Sequence, residues 1–188
     1  VEIVAQESGN GHSPTANGHL KLRASLLILA GGPRFKFQRQ FGMGRPGNFL
    51  RTAQTEVAFR GSEKTKVLMG SQVAPGSFAW IVPFRKGAGL SARIGVSAKV
   101  GAIPYLKKLL ARLHCNGELD SPEVPIRSWV IPISPLRRTF VERVMAVGDA
   151  AGQSKPTTGG GIFYALLSAE AAAQTAAAAL KKGDFSAG

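Results

Sequence analysis

One cysteine, three histidines and eleven acidic side chains are all that this 188-residue chain holds of the groups that build disulfides, metal centres and acidic surfaces. A lone Cys115 excludes an internal disulfide. His12, His19 and His114 lack the spacing of a zinc site, so no metal is expected. Aromatic residues are sparse, at 7%, and are not interleaved with lysine and arginine, which argues against a nucleic-acid partner. Long hydrophobic runs are missing as well. Ala24–Gly32 is too short to cross a bilayer, and Ala165–Leu180 is interrupted by Ser168, Glu170 and Gln174. No secretory leader follows Val1, and the scarcity of cysteine fits a reducing compartment, so a cytoplasmic protein is expected.

Positive charge is abundant. Lysine and arginine number 24 against 11 acids, a net charge of +13, which favours an anionic partner: a phosphorylated ligand, nucleic acid or a lipid headgroup surface. Peripheral contact with an anionic membrane is therefore an expectation. Apolar residues make up 44% of the chain, enough for the core of one domain or two small ones.

Residues 9–19, GNGHSPTANGH, are turn formers that read as a loop between two strands, Val1–Ala5 and Leu20–Ala24. Ser25–Ala30 is a short continuous apolar run stopped by Gly31-Gly32-Pro33, which suits a strand covered on both faces in a parallel sheet. From Gly47 to Val100 the runs NFLRTAQTEVAF, TKVLMGSQVA, FAWIVPF and LSARIGVSAK predict an antiparallel sheet. Ile103–His114 places Ile103, Leu106, Leu109, Leu110 and Leu113 at helical spacing, with Lys107, Lys108 and Arg112 on other faces. Cys115, at the end of that helix, reads as a structural thiol. Asp120–Pro135 is extended and punctuated by proline. Val141–Val147 reads as one buried strand, and an alanine-rich helix is expected from Gly159 onward. The layout is α/β with an α+β insert. A βα-type domain assembled from both ends of the chain (1–44 and 136–188) encloses an antiparallel-sheet domain (45–135).

Chemistry concentrates in VGDAAGQSKPTTGGG, Val147–Gly161. A helix starting at Gly159–Gly161 leaves its first amides without partners, and glycines let a phosphate approach the main chain. Asp149, at the carboxyl end of the preceding strand, is placed to accept hydrogen bonds from sugar or polyol hydroxyls. For a generic GD or GGG the plainer reading is a capped turn and close helix packing, with Lys155 in solvent.

Val147–Ile162 as a whole closely resembles the second flavin-binding motif of the geranylgeranyl reductase family. Ala74–Pro83, APGSFAWIVP, resembles its Y-x-W-x-F-P substrate-domain signature, with Phe78 in place of tyrosine and Val82 in place of phenylalanine. The resemblance implies FAD as cofactor and reduction of isoprenoid double bonds by hydride transfer, with NADPH or a ferredoxin-type protein as electron donor. It implies that the outer domain is an incomplete FAD-binding Rossmann-like domain in which Asp149, beside Gly148 in the cofactor site, contacts the ribityl region, Pro156, Thr157 and Thr158 the ring edge, and Gly159, Gly160 and Gly161 the flavin side of the pyrophosphate. Phe78, Trp80 and Pro83 would line the lipid site, although a strand tryptophan is also an ordinary core residue. The resemblance names no proton donor.

Two departures accompany it. The family strand ending in G-A-D-G reads here as Ala30-Gly31-Gly32, without the acid. The G-x-G-x-x-G that receives the FAD pyrophosphate is expected upstream of Val1. Gly42-Met43-Gly44-Arg45-Pro46-Gly47 matches that pattern in letters only, since it follows a polar stretch, contains Pro46 and leads into a strand. A noncatalytic interaction protein derived from a flavoenzyme and a basic nucleic-acid-binding module are the competing readings. Bound flavin would separate the first from an enzyme, and salt-sensitive retention on heparin would favour the second.

Overall fold

Two short strands of β-favouring residues open the chain: β1 (Glu2–Gln6) pairs antiparallel with β2 (His19–Arg23). The computed structural model describes residues 1–6 and 19–187, so the loop expected at 9–19 lies, apart from His19, outside the described residues. Next come β3 (Leu27–Leu29) and a five-residue helix, α1 (Lys36–Gln40). The loop 42–47 that mimics a dinucleotide fingerprint follows α1 and enters a strand, and it buries Met43 and Pro46.

The antiparallel sheet expected from Gly47 onward is present. Its strands are β4 (Phe49–Ala58), β5 (Lys66–Met69), β6 (Phe78–Lys86) and β7 (Gly89–Ala98). After α2 (Ala102–Cys115), β8 (Arg127–Pro132) joins at the edge, and the spatial order is β5-β6-β7-β4-β8. Period-two alternation sends Ala79 and Ile81 of β6, and Ala92, Ile94 and Val96 of β7, to one face. Leu106, Leu109, Leu110 and Leu113 of α2 cover that face and are buried with it. Each leucine so placed contributes about 2 kcal/mol by leaving water.

Downstream lie β9 (Phe140–Val141), β10 (Val144–Ala146), a 3-10 turn (Gly148–Ala151) and α3 (Ile162–Lys182). β10 runs parallel to β3, pairing Val144 with Leu27 and Ala146 with Leu29, and antiparallel to β9. No helix among the described residues is long and apolar enough to cross a membrane. The chain divides into two units. The first gathers Val1–Arg45, Pro135–Gln153 and Gly161–Gly188, and the second gathers Pro46–Ser134 and Ser154–Gly160.

Four local expectations are corrected. The single strand over Val141–Val147 is two, because Arg143 adopts a left-handed conformation (φ 61°) and reverses the chain so that Val141 pairs with Val144. β3 is not covered on both faces: it lies at the edge of its three-stranded sheet, and Ile28 is exposed. The run TKVLMGSQVA is strand only to Met69, since the amides of Val73 and Ala74 turn back to the Gly70 carbonyl. The last helix begins at Ile162 rather than at Gly159, whose φ of 70° is incompatible with a right-handed helix.

Candidate functional site

In the first unit the chain leaves β10 through extended Val147 and tightens at once into the 3-10 turn. That turn is held from several directions. The Gly148 amide donates to Gln153 Oε1 (3.0 Å) and Ser168 Oγ (3.1 Å). Buried Gln38 donates its Nε2 to the Ala150 carbonyl (2.8 Å), and the Leu136 amide donates to the Ala151 carbonyl (2.9 Å). Gly148 also lies so close to α3 that a Cβ there would stand 3.2 Å from the Ala165 Cβ.

These constraints leave the Asp149 side chain beside a cavity of about 490 Å³ that is also lined by Ala30, Gly32, Gly161, Ile162 and Ala165. Asp149 is the only acid among the lining residues. Burial pushes its carboxyl pKa above the ordinary value, and among the described residues no hydrogen bond reaches its oxygens. The cavity takes in the start of α3, where Gly161 is the N-cap and no side chain caps the helix. The amides of Ile162, Phe163 and Tyr164 have no intrahelical acceptor there. A carboxylate that accepts and a helix end that donates form a donor set fitting a ligand with both hydroxyl and phosphate groups. Ala30 and Gly32 bring no charge to the wall that they form.

Not all of the sequence-predicted residues converge here. Gly148, Asp149 and Gly161 line this cavity, whereas Pro156, Thr157, Thr158, Gly159 and Gly160 belong to the second unit. The Gly159 amide is already used by the Lys155 carbonyl (2.8 Å), and the Gly160 amide faces Thr158 Oγ1 at 3.4 Å. Two of the three glycines are therefore turn residues rather than free donors, and only Gly161 opens the helix. The loop is anchored within its unit by Ser154 Oγ, which donates to the Pro132 carbonyl, and by Gly159 lying against Ile131. Lys155 through Thr158 are exposed.

Phe78 and Trp80 lie on the face of the five-stranded sheet opposite α2, half-buried, with ring centroids 5.8 Å apart. Pro83 falls on the other face by strand alternation, so the structure does not bring it to them. Two residues that sequence reasoning missed hold Trp80. Its Nε1 donates to Gln54 Oε1 (3.1 Å), and its ring lies on Gly95, where a Cβ would come within 2.9 Å of Nε1 and closer to other ring atoms. A glycine inside a strand was the available signal. Val67 and Met69, paired with Trp80 and Phe78, extend the apolar strip and are exposed. Cys115 is exposed rather than structural, and among the described residues no group of three or more His, Cys, Asp or Glu is placed to hold a metal ion.

No protein-family model matches the chain. It is 35% identical over 178 residues to a digeranylgeranylglycerophospholipid reductase of Methanothrix thermoacetophila, covering 88% of this chain and 44% of that protein. Over this span the chain is similar to reductases of the geranylgeranyl type. It spans about 44% of the length of the curated relatives it matches. A geranylgeranyl bacteriochlorophyll reductase-like structure from Thermoplasma acidophilum superposes with a TM-score of 0.76 at 24% identity, over 98% of this chain and 49% of that one. A triple mutant of the flavin-dependent brominase Bmp2 gives a TM-score of 0.59 at 16% identity, over 94% and 52%. The α/β fold of this chain is thus shared with flavin-dependent enzymes of other chemistry.

Proposed function

We propose that the chain forms part of an FAD-dependent oxidoreductase that reduces carbon–carbon double bonds of an isoprenoid lipid. The observation that supports this most directly is the cavity joining an unpaired, pKa-raised Asp149 to the uncapped start of α3. The Asp149 carboxylate accepts from hydroxyls of the cofactor's polyol chain, and the amides of Gly161–Tyr164 donate to its phosphates. Gly148 keeps the turn close enough to α3 for one ligand to meet both. By the motif alone, Pro156, Thr157 and Thr158 are assigned to the ring edge, and Gly159 and Gly160 shape the loop that carries them. Reduced FAD, when bound, supplies a hydride to one alkene carbon while a proton reaches the other. Phe78 and Trp80, continued by Val67 and Met69, offer the isoprenoid chain an apolar shelf that excludes water.

Flavin content of the purified full-length protein tests this reading. Asp149→Ala is expected to lower FAD affinity at least tenfold with the fold intact by circular dichroism. Trp80→Ala is expected to raise the KM for a geranylgeranyl lipid while flavin content stays within twofold. A colourless full-length protein, or a D149A variant that retains full flavin, would defeat the reading.

A further inference from the structure

At the start of α2, apolar side chains that water does not favour stand beside cations that have no counter-ions among the described residues. Val100 is 50% exposed, and Ile103 and Trp129 are each 42% exposed. Ile103, Pro104, Trp129 and Val130 border one groove of about 470 Å³ with Arg51 on its rim. Lys99 adjoins Val100, Lys107 lies one helical turn beyond Ile103, and Arg127 stands two residues before Trp129. Lys108 and Arg112 continue the positive charge along α2, with Lys108 Nζ 5.9 Å from the Tyr105 ring centre. From Ser97 to Gly117 the sequence contains no Asp or Glu. Among the described residues none of Arg51, Lys99, Lys107, Lys108, Arg112 and Arg127 forms a salt bridge, whereas Arg60, Lys66, Arg85, Lys86 and Arg93 on the same unit all do.

We infer that this end of the five-stranded sheet docks on an anionic lipid bilayer. Val100, Ile103, Pro104 and Trp129 enter the headgroup layer, and the unpaired lysines and arginines contact lipid phosphates. Tryptophan is favoured at that depth because its ring is apolar while its N–H keeps a polar partner. Cations in this position are attracted by the negative surface potential of the membrane. A nucleic acid would reward the cations but leave Val100 and Ile103 in water. A bilayer rewards both, and that asymmetry selects it. Val100 and the residues of α2 lie away from the Phe78–Trp80 shelf, whereas Arg127 and Trp129 of the edge strand β8 share its sheet face. The inference does not depend on the flavin reading.

Co-sedimentation of the full-length protein with vesicles tests the inference. Binding is expected to phosphatidylglycerol–phosphatidylcholine vesicles, to weaken with salt, and to be at least tenfold weaker on pure phosphatidylcholine. Lys107→Glu combined with Lys108→Glu, and separately Ile103→Asp, are each expected to lower binding about tenfold or more. Arg85→Glu, a reversal at an exposed ion-paired cation elsewhere on the unit, should change it less than twofold. With Trp80→Phe as background, and the same protein with Trp129→Phe added as the blank, the Trp129 contribution to the fluorescence should shift to the blue on anionic vesicles. The inference is overturned if the control reversal costs as much as the pair on α2, if Trp129 emission does not move, or if an RNA oligonucleotide binds while vesicles do not.

Discussion

Asp149 keeps its carboxyl beside a cavity, with burial raising its pKa and no cation among the described residues to offset the cost. An acid in that position holds its proton longer in the folded than in the unfolded chain. Its contribution to stability is therefore complete below its ordinary pKa and is lost as pH rises through the raised one. Asp149→Asn removes this loss. Thermal melts across the acid range should show the variant gaining on the wild type as pH rises, with the difference level once Asp149 is ionised. Gly95 sets a second expectation, because Trp80 covers the space a side chain would fill. Gly95→Val should destabilise the protein by about 1–3 kcal/mol and expose Trp80 to fluorescence quenchers, as measured by urea unfolding and iodide quenching. Asp149 and the glycines near it are legible in the sequence because their spacing is local. The Gln54 support is not legible, and Gly95 shows only as a glycine inside a strand, since strand register alone brings them to Trp80.

At the scale of the element, α2 was the easiest to read. Five apolar residues at helical spacing predict its buried stripe, of which Leu106, Leu109, Leu110 and Leu113 are buried while Ile103 stays exposed. Leu110→Ala should cost about 2–5 kcal/mol in urea unfolding, because a helix clamped against a sheet closes little of the resulting cavity. The sequence pattern places the start of α3 three residues too early. Three glycines in a row do not reveal which one leaves the left-handed region, and Gly159 remains in it. Gly159→Ala should therefore lower stability by about 1 kcal/mol through backbone strain, with the 3.0 Å approach to Ile131 adding to the cost. The break between β9 and β10 was hidden for a different reason. Glu142-Arg143 carries none of the residues that favour positive φ, so the reversal comes from tertiary context rather than from turn chemistry.

At the scale of the whole molecule the two units differ in how much core each holds. The second buries one continuous cluster from β4, β6, β7 and α2. In the first, α3 leaves Ile162 81% exposed and Phe163, Leu166, Leu167 and Leu180 largely so, and buries only Ala172. Amide hydrogen exchange on this chain alone should protect β4, β6 and β7 far longer than β3, β10 or α3. The sequence announced the antiparallel insert through its alternation. It could not mark Ser154–Gly160 as a return to that insert, because polar turn residues carry no sign of which core they attach to.

The backbone passes between the units four times, at 45/46, 134/135, 153/154 and 160/161. No single proteolytic nick can therefore release either unit as an intact piece. A gene dissection that keeps only 46–134 would discard Ser154 and Gly159, stripping the partners from Pro132 and Ile131 at the end of β8. An independently foldable version of this unit would have to be spliced, with a short linker joining 134 directly to 154.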